Sequence, residues 1–144
     1  MKLSKTIQKG FTLIELLVVI AVLGVLAAAV VAAINPATKV NQAKDATVKS
    51  DIGQIANAMQ AYFTNSGISG STPYYPAEVT ALVPSELNSV PATATTLAKS
   101  PVGCTTANKD CTAISVSAPL NNSADLWCWK SSTGVVAAAA TCTP

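Results

Sequence analysis

The sequence predicts an α+β protein in which a long N-terminal helix packs against a small C-terminal antiparallel sheet. Three stretches carry that prediction: an uncharged apolar run from Leu16 to Ile34, an amphipathic run from Val48 to Phe63, and short alternating segments after Pro91. A helix needs apolar residues every three to four positions and a half-buried strand every second one, and both periods occur here in separate parts of the chain. The 144 residues fit one small domain plus a segment that no soluble core would absorb.

The apolar run comes first. About 19 residues at roughly 1.5 Å each cover about 28 Å, the thickness of a bilayer's hydrocarbon. Lys2, Lys5 and Lys9 precede it, so the N-terminus is expected to stay cytoplasmic and the rest to face outward. In the next stretch Val48, Ile52, Ile55, Met59 and Tyr62 recur at helical spacing, with Ala56 and Phe63 widening the stripe. Lys44, Asp45, Lys49, Asp51 and Gln54 are assigned mainly to the other faces, with Asp45 and Lys49 as an i,i+4 pair. Carried through Pro36, one helix would run from Phe11 to Phe63, about 80 Å, with a bend or local melting near Gly24 and Pro36.

Asn65, Ser66 and Gly67 predict the helix end, and a Gly, Ser, Thr and Pro-rich loop follows to Pro76. A short helix is expected over Ala77 to Leu82, opened by Pro76 and closed by Pro84. Alternation predicts strands at Ala113 to Ser117 and Leu126 to Lys130, then a turn over Ser131 to Gly134 into Val135 to Ala140. That sheet would cover the amphipathic stripe.

Composition excludes several functions. The net charge of +2 forms no basic stripe, so a nucleic-acid partner gains no support from it. The chain lacks His, the commonest general base and metal ligand, and shows no nucleophile paired with a base and no phosphate loop; no enzyme, cofactor or metal is expected. The four cysteines, Cys104, Cys111, Cys128 and Cys142, all follow the apolar run, which suits an oxidising compartment. Of their three possible pairings the sequential one, Cys104 with Cys111 and Cys128 with Cys142, is the simplest. Zinc binding by all four is the sharper alternative, but no Cys-x-x-Cys knuckle is present. Trp127 and Trp129 would share one strand face and pack in the core; were that face exposed, the indoles could stack on sugars or bases. Asn121-Asn122-Ser123 matches a short glycosylation pattern.

The singular residue is Glu15, a carboxylate inside an apolar helix. On insertion scales an acid at mid-bilayer costs about 2.5–3.5 kcal/mol, so such a residue is a functional candidate and calls for a cationic partner. Cleavage after Gly10 would create one, the free amine of Phe11, on a neighbouring copy. An ordinary secretory signal, cut among Ala27 to Ala33, and a simple membrane anchor both leave Glu15 without a purpose.

The stretch Lys9-Gly10-Phe11-Thr12-Leu13-Ile14-Glu15, continued by the apolar helix to about Leu26, resembles the type IV filament family, the pilins and the pseudopilins of type II secretion. The resemblance implies a type IV pilin-like fold. It also implies a prepilin peptidase that cuts between Gly10 and Phe11, N-methylation of Phe11, and a docking role for Glu15 in assembly. The organisation it suggests is a leader over 1–10, a membrane and assembly half over 11–35, an amphipathic half over 36–64, and a disulfide-bonded β domain over 65–144. The expected partners are further copies in a helical filament, the peptidase, the pilus assembly machinery, and the membrane before assembly. The cysteine-stapled C-terminal part is closer to a pilin than to a pseudopilin; a minor pilin that binds DNA or a surface ligand is the other reading.

Overall fold

The computed structural model describes residues 10–68, 72–93 and 95–144. Two compact units divide between Lys39 and Val40. In the first, α1 spans Leu13–Ile34. None of its residues is buried, and the side chains from Leu16 to Ile34 present an apolar surface all round. The expected weak point at Gly24 does not appear, because α1 runs unbroken through it.

The break expected near Pro36 falls at Asn35, whose backbone is left-handed (φ 47°). The cause is local. Pro36 has no N–H to continue the ladder and crowds the residue before it, and Asn tolerates left-handed backbone better than most residues. Pro36 then opens α2, Pro36–Gly67, as the first residue of a helix, where its missing donor costs nothing. The single helix expected over Phe11 to Phe63 is thus two helices.

The second unit packs α2 on the sheet. Val48, Ile52, Ile55, Ala56 and Met59 are buried as the periodicity predicts, and Tyr62 and Phe63 pack half-buried beside them. At the end of α2 Gly67 is required by close packing, since a Cβ there would meet Pro73 Cγ at 2.8 Å. Ser66 ties the same end down: its hydroxyl accepts from Tyr74 N–H at 3.0 Å and donates to Phe63 O at 2.8 Å. The short helix is a 3-10 turn at Val79–Leu82, beginning two residues later than expected, and it buries Leu82.

The sheet has four antiparallel strands in sequence order: β1 Thr96–Ser100, β2 Ala113–Pro119, β3 Leu126–Lys130 and β4 Val136–Ala139. Ser115 pairs with Lys130 between β2 and β3, and Cys128 with Ala137 between β3 and β4. Gly134, at φ 68°, completes the turn, and its N–H donates to Lys130 O at 2.9 Å. β1 was not among the expected strands. The inner face carries Ile114, Val116, Ala118 and Trp129 into the core with α2. Phe63, Tyr75 and Trp129 form an aromatic run across that core, with centroids 4.4 Å and 6.3 Å apart.

Candidate assembly site at the start of the apolar helix

Residues 1–9 of the expected leader, with Lys2, Lys5 and Lys9, lie outside the described residues. Gly10 and Phe11 are described, and Phe11 is 92% exposed.

Glu15 is not the lone carboxylate that the sequence reading supposed. It is the third helical residue of α1, and with Thr12 it forms a reciprocal cap. Glu15 N–H donates to Thr12 Oγ1 at 3.3 Å, while Thr12 N–H and Thr12 Oγ1–H donate to Glu15 Oε2 at 3.0 Å and 2.8 Å. This is the Ser/Thr-x-x-Glu capping box, which satisfies helix-end donors that would otherwise be orphaned. The sequence signal for it is Thr12-Leu13-Ile14-Glu15, a threonine with a glutamate three residues on. One consequence is chemical: both Thr12 donors use the same oxygen, Oε2. Glu15 lines an open, largely apolar surface groove of about 400 Å³ together with the exposed Phe11, Ile14, Val18 and Val19.

The cysteines pair as Cys104–Cys111 and Cys128–Cys142. Asp110 lies beside the first pair, but its Oδ1 accepts from Thr105 N–H at 2.9 Å and the sulfurs are oxidised, whereas a metal ligand must be a thiolate. Cys128–Cys142 pins the residues after β4 across the outer face of the sheet, where Ser115 Oγ donates to Cys142 O at 3.1 Å.

Trp127 and Trp129 both pack against the core. Trp129 is 1% exposed, which removes it as a stacking platform, and Lys49 Nζ sits 4.8 Å above the Trp127 ring.

Asp45 corrects the helix reading. Assigned to a polar face, it is 8% exposed and turns to the loop between β2 and β3. There its carboxylate accepts from Asn121 N–H, from Asn121 Nδ2 and from Asn122 N–H, the last two at 3.1 Å. The Asn121 N–H bond is the main reason its carboxyl lies below the usual range; burial opposes the shift, and Asn121 Nδ2, Asn122 N–H and Lys49 reinforce it. The glycosylation pattern is affected too, since the amide of Asn121 already serves this clasp.

The profile of the "Prokaryotic N-terminal methylation motif" matches residues 5–31. Curated relatives also match, each over part of the chain. The "Type IV major pilin protein PilE" of Neisseria gonorrhoeae is 44% identical over 63 residues, 44% of this chain and 36% of that protein. The "Type II secretion system core protein G" of Pseudomonas aeruginosa is 47% identical over 55 residues, 38% of this chain and 37% of that protein. The match therefore spans little more than a third of either relative's length. No solved structure matches the chain.

Proposed function

From a first helix that carries the N-terminal methylation motif, we propose that the chain is a structural subunit of a type IV pilus-like filament, made as a precursor and polymerised through α1. The observation that carries this reading is the surface of α1: 22 residues, long enough to cross a bilayer, with an 18-residue stretch of mean hydropathy 3.1 and no buried residue. Such a rod is stable in lipid or among copies of itself. The order of events follows. The leader 1–10 is removed at Gly10–Phe11 by a prepilin peptidase and the Phe11 amine is methylated. Residues 11–35 leave the membrane, N-terminus inward, for the filament core, and the parts over 36–64 and 65–144 form its outer layer. The amine of an incoming copy meets Glu15 in its groove. The similarity to a secretion protein G keeps a pseudopilus as the second reading.

The capping box sharpens the test. Glu15→Gln keeps a side chain able to cap Thr12 and removes the charge; Glu15→Ala removes both. If Glu15 pairs with an amine, both variants are processed and inserted but neither forms filaments. Filaments from Glu15→Gln with none from Glu15→Ala would reduce Glu15 to a cap and refute the pairing. Mass spectrometry of material sheared from the cell surface reports the new N-terminus and its methyl group; chains beginning at Met1 or near Ala33 would overturn the reading.

A further inference from the structure

We infer that the two free edges of the sheet are complementary to each other, and that in the assembled state β4 of one copy pairs with β1 of the next to continue the sheet between subunits. The inference rests on the filament reading and adds to it a specific contact outside α1.

The strand order β1-β2-β3-β4 leaves β1 and β4 as edges, and among the described residues neither makes a backbone bond beyond its ladder partner except at Ser100. Which groups are left over follows from alternation. Ser131 N–H donates to Ile114 O at 2.9 Å, so alternate residues of β3 from Ser131 backward, Trp129 and Trp127, bond toward β2. Leu126, Cys128 and Lys130 then turn toward β4, where Cys128 faces Ala137 and Leu126 faces Ala139. The N–H and C=O groups of Val136 and Ala138 therefore point outward. By the same count across β2, Leu97 and Lys99 point outward from β1.

These two sets fit. Each edge offers two residues spaced two apart, and an even number of antiparallel strands makes the edges run in opposite directions. Copies that keep one orientation along a filament can thus bring β4 beside β1 as an antiparallel ladder, a head-to-tail contact that need not close. With Val136 opposite Lys99 and Ala138 opposite Leu97, the faces also agree, since Val136 and Leu97 both pack toward the core side of their sheet.

Side-chain chemistry favours this partner over others. Edge strands are commonly guarded by charge, proline or a bulge, and β4, Val-Ala-Ala-Ala, has none of these. Its alanines allow close approach. Pairing of β1 with itself would set Lys99 near its own copy, and pairing of β4 with itself would reverse one subunit. Beside β1 an open cleft of about 420 Å³, lined by Glu78, Val79, Val90, Leu97 and Lys99, leaves room for a thin strand.

The test uses full-length chains assembled in cells. Ala138→Pro removes an outward N–H without touching the β3 ladder, so the fold should hold and both disulfides should form, while filament recovery falls at least about tenfold, the scale of a few net hydrogen bonds. As a second measurement, Leu97→Cys and Ala138→Cys chains are co-assembled. Their Cα atoms should stand about 5.5 Å apart across a bonded pair, within disulfide reach, so intact filaments should yield a cross-linked dimer under oxidation. Wild-type recovery from Ala138→Pro together with no cross-link in intact filaments overturns the edge contact and leaves the filament reading standing. Absence of filaments from the unaltered chain overturns both.

Discussion

Removing the Cys128–Cys142 bridge, by Cys128→Ala together with Cys142→Ala, should cost the second unit more stability than removing Cys104–Cys111 in the same way. The bridges span 14 and 7 sequence steps. Closing loops of those lengths takes entropy from the unfolded chain, and the loop-length relation gives about 3 kcal/mol for the longer and about 2.5 kcal/mol for the shorter near room temperature. Against the roughly 5–15 kcal/mol that holds a small domain together, either loss is large. The longer bridge also fixes the residues after β4, whose bond from Ser115 Oγ to Cys142 O would fray once untethered. Urea unfolding of the detergent-solubilised full chain reads the difference. Its two tryptophans flank Cys128 and pack on the core, so their fluorescence reports this unit. With a slope of about 2 kcal/mol/M, the midpoint should fall by about 1.5 M for the Cys128/Cys142 pair and about 1.2 M for the other. A larger shift from the Cys104/Cys111 pair, at unchanged slope, would refute the reasoning.

Trp129→Ala should cost about 3–5 kcal/mol, as for other fully buried aromatics, and Trp127→Ala less, because Trp127 is only half-buried; the same unfolding curves, followed by circular dichroism, decide. Asp45 has a carboxyl pKa below its unfolded value of 3.8, so its contribution is complete above that value and is lost as pH falls through the lower, folded one. Amide exchange at Asn122 should therefore accelerate in strong acid, and Asp45→Asn should exchange fast at neutral pH; a slow Asn122 amide in that variant would dismiss the clasp. Burial, together with the Tyr74 hydroxyl 3.3 Å away, raises Tyr62 to about 12. The neutral phenol is the form the fold favours, so this contribution holds below about pH 10 and fades toward 12. An ultraviolet titration should show one tyrosine ionising near 12, and that step should vanish in Tyr62→Phe.

Several elements were legible because one period dominated them. The stripe from Val48 to Met59 and the alternation in Ala113 to Ser117 each place large side chains on a single face. β1 was not legible. Its inner residues are Leu97 and Lys99, and a lysine on the core-facing side erases the alternation that Thr96, Ala98 and Ser100 would otherwise frame. Asp45 escaped for another reason: its partners lie 76 and 77 residues away, beyond any local rule, so a carboxylate among other polar residues read as solvated. The break at Asn35 needed the backbone itself, since Pro36 said only that something yields there. At the assembly site, Gly10, Phe11 and Glu15 were all singled out, but the cap from Thr12 changes what Glu15 requires. Its carboxylate is partly satisfied within its own chain, so the proposed amine would add to an existing arrangement rather than rescue an empty one.

The bridge from Cys128 to Cys142 also imposes a timetable. Synthesis delivers α1 first and Cys142 only after all four strands, and domains take shape as their parts emerge. On the proposed reading, α1 would enter the lipid before the part that follows it can be locked. The lock itself requires an oxidant that the cytoplasm does not supply. On the proposed filament reading, with the C-terminal part outward, maturation of a subunit would be divided between two compartments, and thiol oxidation outside the membrane would be a step after insertion of α1.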